Sequence, residues 1–367
     1  MVVNMRVLFA GGGTGGHINP AISIADYIKS KEENFEALFV GTKKGLETKL
    51  VPAAGYDIKY IDIMGFNRKN LLKNITVVKK LIQTKRECKR IIKEFNPDYV
   101  VCTGGYVSGP VAMAAHACKV PALIHEQNVY PGLTVKGAEK YVKCIAVSFE
   151  ETLNHLKKDK CVVTGNPVRT KILEAKKDEA RKALGIGDEP FVLIFGGSLG
   201  ADRINENVVK MLSRVCSEKK FRLTFATGDR NFENIQNAIK ENNTELADNV
   251  EIVPYINNMH EVMAAADIVV CRSGAITLSE IAVLGKPSVL IPSPNVVRNH
   301  QEQNAREFER GGAAKVITED MLNSDILYNT IAELALDKEL LKKMGDAAKV
   351  FAKKDALQKI YEIVKQS

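Results

Sequence analysis

The chain has 367 residues, 45% of them hydrophobic and 26% charged, with a formal net charge of +8. That length suits two domains better than one core, the composition is that of a globular protein, and no apolar run reaches the roughly 18 residues a membrane-spanning helix needs. The cationic excess fits an anionic partner, whether phosphate, a membrane surface or nucleic acid, while seven scattered cysteines without a CxxC pair suggest neither a disulfide framework nor a thiolate metal site.

Short β-branched runs alternate with longer helical stretches from end to end, which predicts an α/β fold of parallel strands joined by crossover helices. The opening MVVNMRVLFAGGG passes straight from a short apolar run into glycines, so it reads as a first strand, 6–10, and not as a signal peptide; a cytosolic protein is expected. Gly11, Gly13 and Gly16 satisfy GxGxxG, a dinucleotide-binding pattern. A nicotinamide site also wants a carboxylate after the second strand, 37–40, and there the chain reads Gly41-Thr42. Further strands are predicted at 59–63, 99–102, 122–125, 144–148 and 161–164.

Between Arg68 and Lys93 stand ten Lys or Arg and one acidic residue, Glu87, with Leu71, Ile75, Val78 and Ile82 at helical spacing. This amphipathic stripe either packs on the first sheet or, with its basic neighbours, meets anionic lipid headgroups. No aromatic platform accompanies the charge, so nucleic acid is not expected as a partner.

Gly165 to Arg169, GNPVR, carries a turn-forming Asn-Pro and marks the hinge, giving a first domain over 1–164 and a second over 165–345, with a helix over 346–367 that packs back on the first. Strands of the second half are predicted at 191–195, 222–226, 251–253, 268–271, 288–291 and 314–317. Its first strand also ends in a glycine loop, Gly196 to Ala201, opening a helix whose unpaired N–H groups and dipole can hold a diphosphate without a metal. No Asp-x-Asp pair is present to bring a cation there. After 268–271 comes Arg272-Ser273-Gly274 and a helix carrying Glu280, whose carboxylate either accepts the two vicinal hydroxyls of a ribose or only offsets the helix dipole.

Six stretches in order, GGTGGH, GGYVSGP, HEQN, GNPVR, GGSLGA and CRSGAITLSE, resemble those members of glycosyltransferase family 28 that move N-acetylglucosamine from its UDP derivative to the undecaprenyl-linked muramyl peptide of peptidoglycan synthesis. The resemblance implies a GT-B fold: two Rossmann-like, doubly wound parallel sheets facing across a cleft, the first for acceptor and membrane, the second for UDP-sugar. It also implies the site. Thr14, Gly15 and Gly16 would meet the donor sugar and diphosphate, Asn128 the N-acetylglucosamine, and Arg169 and Ser198 the nucleotide and its phosphates. The backbone of Ile256 would meet uracil. Ala275, Ile276, Thr277, Leu278 and Ser279 would surround the nucleoside, with Glu280 on the ribose, and Gln301 with His300 would hold the sugar hydroxyls. Asn19, where the family often has an aromatic residue, and Val129-Tyr130, where small residues are common, depart from the pattern in ways that touch acceptor fit.

The reaction implied is an inverting displacement by the muramyl C4 hydroxyl, which needs a base. His17, directly after the glycine loop, is one candidate because imidazole titrates near neutrality. Glu126 is the other, with His125 to orient it; the plain alternative for that pair is to satisfy loop backbone groups. No tightly bound cofactor is expected; a divalent cation such as Mg stays open as a stimulant without a metal-site motif. Peripheral attachment to the cytoplasmic face of the cell membrane, a role in cell-wall biogenesis and so in cell shape and division, and cell-wall synthesis proteins as partners complete the expectation. The alternatives are a UDP-N-acetylglucosamine 2-epimerase, a UDP-sugar transferase with another lipid acceptor, and a non-enzymatic nucleotide-sugar or membrane-binding protein.

Overall fold

The computed structural model describes residues 5–63, 73–197, 200–296 and 299–366. The chain divides into two compact units, Met1–Arg169 with Lys353–Ser367, and Thr170–Ala352.

In the first unit β1 (Met5–Gly11), β2 (Phe35–Gly41), β3 (Asp57–Tyr60), β4 (Tyr99–Gly104), β5 (Ala122–Glu126), β6 (Cys144–Val147) and β7 (Cys161–Val163) form one sheet in the order β3-β2-β1-β4-β5-β6-β7. Every pairing is parallel. The crossovers carry α1 (Gly15–Lys31), α2 (Glu47–Ala53), α3 (Lys73–Phe95), α4 (Gly105–Cys118) and α5 (Leu133–Ala138). Helices on both faces explain the unbroken apolar strands. Leu8 and Ala10 enter one core cluster, while Phe9, pointing the other way, stacks on Phe39 with centroids 5.0 Å apart.

The second unit repeats the plan with β8 (Phe191–Phe195), β9 (Arg222–Ala226), β10 (Val250–Val253), β11 (Ile268–Cys271), β12 (Ser288–Leu290) and β13 (Ala314–Val316), in the order β10-β9-β8-β11-β12-β13. Its helices are α6 (Thr170–Glu174), α7 (Lys177–Ala183), α8 (Asp202–Glu218), α9 (Phe232–Glu241), α10 (Met259–Ala265), α11 (Ala275–Leu284), α12 (His300–Arg310), α13 (Ser324–Leu336) and α14 (Lys338–Val350). Along β8, Val192 and Ile194 join one cluster and Phe191, Leu193 and Phe195 the other, so each face of the sheet has its own core. The chain then returns to the first unit, where α15 (Ala356–Lys365) buries Leu357, Ile360 and Val364 and packs beside α1, with Tyr361 edge-on to Tyr27.

The seven and six strands expected from the sequence are the seven and six found among the described residues. β3 lies earlier than the predicted 59–63, because β2 ends at Gly41 and offers no ladder beyond it; the last bond, from Ile61 N–H to the Gly41 carbonyl at 2.9 Å, closes the pairing. The division between units falls after Arg169, five residues past the predicted boundary, since residues 165 and 166 hydrogen-bond into the first sheet. The returning segment starts at Lys353, because 346–350 complete α14, which packs on α11.

Candidate active site

Strand order reverses at β1 in the first unit and at β8 in the second: each has its early neighbours on one side and β4 or β11 on the other. In such sheets the ligand crevice lies outside the carboxyl ends of these strands. Each of those ends carries a glycine loop.

At the end of β1, Thr14 caps α1 in an extended conformation, and Gly15, Gly16 and His17 form its first turn. Gly13 has φ +90, which an L side chain rarely adopts, and that lets the chain leave the strand sharply. The His17 Nδ1 lies 3.2 Å from the Gly12 carbonyl and 3.3 Å from the Thr14 hydroxyl. A carbonyl only accepts, so Nδ1 carries a proton, and in the neutral imidazole the lone pair then falls to Nε2. The imidazole lies against Gly104, where a Cβ would stand 2.6 Å from His17 Cδ2 and 3.1 Å from Nε2. Gly104 and Gly105 both have positive φ, and the Thr103 hydroxyl donates to the His17 carbonyl at 2.7 Å. The GGYVSGP stretch is thus the wall that seats His17; in the sequence it stood only as one of six motifs, with no role attached.

A second residue escaped the sequence altogether. Glu47, the first residue of α2, is 0% exposed, and its carboxylate accepts from the N–H of Gly13 at 3.0 Å and from the N–H and hydroxyl of Thr42 at 2.9 Å each. The carboxylate missing after the second strand therefore exists, but it faces inward onto the glycine loop. The signal that could have found it is an acidic residue two positions after Gly45, where Gly41 and Gly45 flank a short basic turn.

At the end of β5, His125 and Glu126 face opposite sides of the sheet, as successive strand residues must. His125 is fully buried; Nε2 donates to the Gly165 carbonyl at 3.1 Å and Nδ1 accepts from Gln127 at 3.1 Å. Burial without a counter-charge pulls its pKa down to about 4, so it is neutral. It does not orient Glu126; it ties the strand to the segment leaving the unit. There Asn166 accepts from Ser148 at 2.8 Å and donates to the Gln127 carbonyl at 3.2 Å. Glu126 accepts from Asn128 N–H at 2.9 Å, the Asn128 amide at 3.2 Å and Gly132 N–H at 2.7 Å. Burial raises its pKa, and those donors oppose the rise. Both oxygens thus pin the 128–132 loop. Asn128 stands on that loop, and Arg169 is the half-buried last residue of the unit's first segment.

In the second unit the loop after β8 passes through Gly197 (φ +98) and Gly200 (φ +76) into α8. Gly200 is required: a Cβ would stand 2.2 Å from the Thr227 carbonyl. At Gly197 and Gly274 a Cβ would meet nothing within 4 Å, so both loops present bare backbone ahead of a helix. Ser198 lies outside the described residues. Gly274 caps α11, which carries Ala275, Ile276, Thr277, Leu278, Ser279 and Glu280. Leu278 is 1% exposed within the core, so only its backbone can reach a ligand; Glu280 is buried on the same helix, and the Cys271 thiol pKa is raised first by burial and then by the Glu280 charge. Ile256, after β10, is buried too, leaving its backbone for contact. The Ser273 hydroxyl donates to the Gln301 carbonyl at 2.8 Å, and the Gln301 side-chain oxygen accepts from Ser293 N–H at 2.9 Å. These bonds bring the starts of α11 and α12, with His300 and Gln301, together at one end of the sheet. Arg272 is an anchor, bonded to Glu319 at 2.8 Å and to the Ile291 and Pro292 carbonyls. Among the described residues no three His, Cys, Asp or Glu side chains gather as a metal site.

The predicted amphipathic segment begins outside the described residues, at 68–72. Among the described side chains of α3 the buried ones are Thr84, Cys88, Ile91 and Ile92, whereas Ile82 is 53% exposed. At about 100° per residue Ile82 stands opposite Thr84 and Ile91, so the one stripe member whose side chain is described does not pack on the sheet. Among the described residues no helix is long and apolar enough to cross a membrane.

Residues 7–147 match the glycosyltransferase family 28 N-terminal domain and 191–360 its C-terminal domain. The UDP-N-acetylglucosamine–N-acetylmuramyl-(pentapeptide) pyrophosphoryl-undecaprenol N-acetylglucosamine transferase of Acetivibrio thermocellus is 48% identical over 98% of both chains. The crystal structure of Acinetobacter baumannii MurG matches with TM-score 0.76 and 26% identity, over 99% of this chain and 100% of that one. A Neisseria meningitidis UDP-GlcNAc 2-epimerase bound to UDP-GlcNAc shares the fold with TM-score 0.68 at 17% identity, over 99% and 100% of the two chains.

Proposed function

Because the chain belongs to glycosyltransferase family 28, and within it to the N-acetylglucosaminyltransferases of lipid-linked muramyl peptides, we propose that it builds the peptidoglycan precursor by inverting transfer with His17 as base. The enzyme moves N-acetylglucosamine from UDP-N-acetylglucosamine to the undecaprenyl-pyrophosphoryl muramyl peptide, converting lipid I to lipid II. The observation that carries this is near-half identity over the whole length to a transferase of that name. The epimerases share the fold at much lower identity, which gives no ground for their chemistry.

For the chemistry, the muramyl C4 hydroxyl attacks the anomeric carbon as UDP leaves. His17 is favoured over Glu126 because its Nδ1 is already the donor, which assigns the basic lone pair to Nε2, whereas both Glu126 oxygens hold the 128–132 loop. Helix-terminal N–H groups after Gly197 and Gly274 receive the diphosphate and nucleoside, with Glu280 for the ribose and Gln301 for the sugar. No metal is needed in that scheme, so chelation should leave UDP binding intact. Attachment to the cytoplasmic membrane surface draws support from exposed Ile82 beside Lys85, Arg86, Lys89 and Arg90 on α3. A hollow of about 310 Å³ in the same unit, lined by Lys119, Lys140, Lys143 and Lys160 among others, adds cationic surface for lipid phosphates.

The test is UDP release from UDP-N-acetylglucosamine with and without the polyprenyl-diphosphoryl muramyl peptide. Release that requires the acceptor, with a β1→4 disaccharide as product, supports the proposal. Acceptor-independent appearance of the 2-epimer, or UDP binding with no turnover, overturns it.

A further inference from the structure

We propose that Glu47 is the positioning residue of the first glycine loop: an internal carboxylate that sets the turn from which His17 acts. The carboxylate sits where the N–H groups of a glycine loop after a first strand ordinarily meet a phosphate. It takes the Gly13 N–H at 3.0 Å and both Thr42 donors at 2.9 Å, with no exposure to solvent.

The seat is built for it from three directions. A Cβ at Gly45 would stand 1.9 Å from Glu47 Oε2, one at Gly12 would stand 2.8 Å from Oε1, and one at Gly41 would stand 2.6 Å from Cγ. Three glycines therefore make room for one side chain, and two of them belong to loops that leave adjacent strands. A buried charge held only by neutral donors is costly to place, and it fixes the donors that surround it. Gly13, at φ +90, is one of those donors, and the carbonyl of its neighbour Gly12 receives the His17 Nδ1 proton at 3.2 Å. The chain of cause runs from Glu47 to the Gly12-Gly13 peptide, to the imidazole tautomer, to a lone pair on Nε2. With Glu47 in place, the Gly13 N–H is also not available to a nucleotide phosphate, which leaves the nucleotide to the loops of the second unit.

The kinetic part of the proposal rests on His17 being at the reacting centre; the tautomer part does not. In Glu47→Gln the amide NH2 must face a donor, so the Gly12-Gly13 turn shifts. Misplacing the base by about 1 Å is expected to lower kcat on the order of 100-fold. UDP affinity measured by calorimetry should stay unchanged, and Glu47→Asp, which keeps the charge, should recover part of kcat. In 15N NMR of histidine-labelled enzyme, His17 should be Nδ1-protonated in the native protein and lose that preference in E47Q. A general loss of stability would not move the tautomer of one histidine while sparing UDP binding. Normal kcat in E47Q, or an unchanged Nδ1–H signature, overturns the proposal. Should E47Q fail to fold, Thr42→Val, which removes one donor and leaves the carboxylate, gives the same two readouts, and no change in either overturns it too. Full turnover by His17→Ala would instead sink the assignment of the base and leave the tautomer result standing.

Discussion

Replacing His125 by Gln should flatten the dependence of the first unit's stability on pH below neutrality. His125 is fully buried, and its pKa falls from 6.5 in the open chain to about 4 in the fold. The unfolded chain therefore binds a proton before the folded chain does, so stability is fully present above the unfolded value and is lost as pH falls towards the folded one. Linkage puts the loss between pH 7 and pH 5 at about 1.8 kcal/mol, or roughly a 20-fold rise in the opening equilibrium. Glu126 works in the other direction, since its raised pKa makes protonation in the fold favourable as pH falls, but it is present in both proteins and cancels in the comparison. Hydrogen exchange of peptides from β4 to β6, corrected for the intrinsic exchange rate, measures opening of this unit alone. The native protein should lose protection relative to its pH 7 value by about that factor at pH 5, and His125→Gln should not. Parallel pH profiles for the two would refute the picture of a neutral, caged imidazole holding Gly165.

His17→Ala should lower turnover by about two to four orders of magnitude while calorimetric UDP affinity stays level. Gly104→Ala places a methyl against the imidazole at a residue with φ +105, and should reduce kcat and cost about 1–3 kcal/mol in denaturant unfolding. Gly200→Ala, which collides with the Thr227 carbonyl, should weaken UDP binding without altering the His17 tautomer, as read by calorimetry and NMR. Exchanging Lys85, Arg86, Lys89 and Arg90 for Gln should weaken sedimentation with anionic vesicles by about 1 kcal/mol per charge, with no effect on neutral ones.

The strand pattern was legible because parallel strands buried on both faces, such as β8 and β11, are unbroken apolar runs, β8 ending directly at Gly196 and β11 three residues before Gly274. Two glycine loops, and with them the ends of the sheets where chemistry gathers, follow from the same reading. What was hidden depends on contacts between residues distant in sequence. Glu47 looks like a surface acid among lysines until Gly12, Gly13 and Thr42 close over it. His125 and Glu126 look like a pair because they are adjacent, and a strand parts them because they are adjacent. The stripe ending at Ile82 has helical spacing whichever way it faces, and only the burial of Thr84, Cys88, Ile91 and Ile92 tells which side meets the sheet.

The polypeptide visits the first unit twice, and a Cβ on Gly165 would lie 2.4 Å from the Cβ of Lys353, so the outgoing and incoming connections touch. The second unit is in that sense an insertion into the first, whose chain leaves and re-enters at one place. Residues 170–352 could be excised as a single contiguous cassette, or exchanged for that of a relative, with two neighbouring splice points. The other half has no such freedom: a product stopped before residue 353 lacks α15, and bares the flank of α1 that Leu357, Ile360 and Val364 cover.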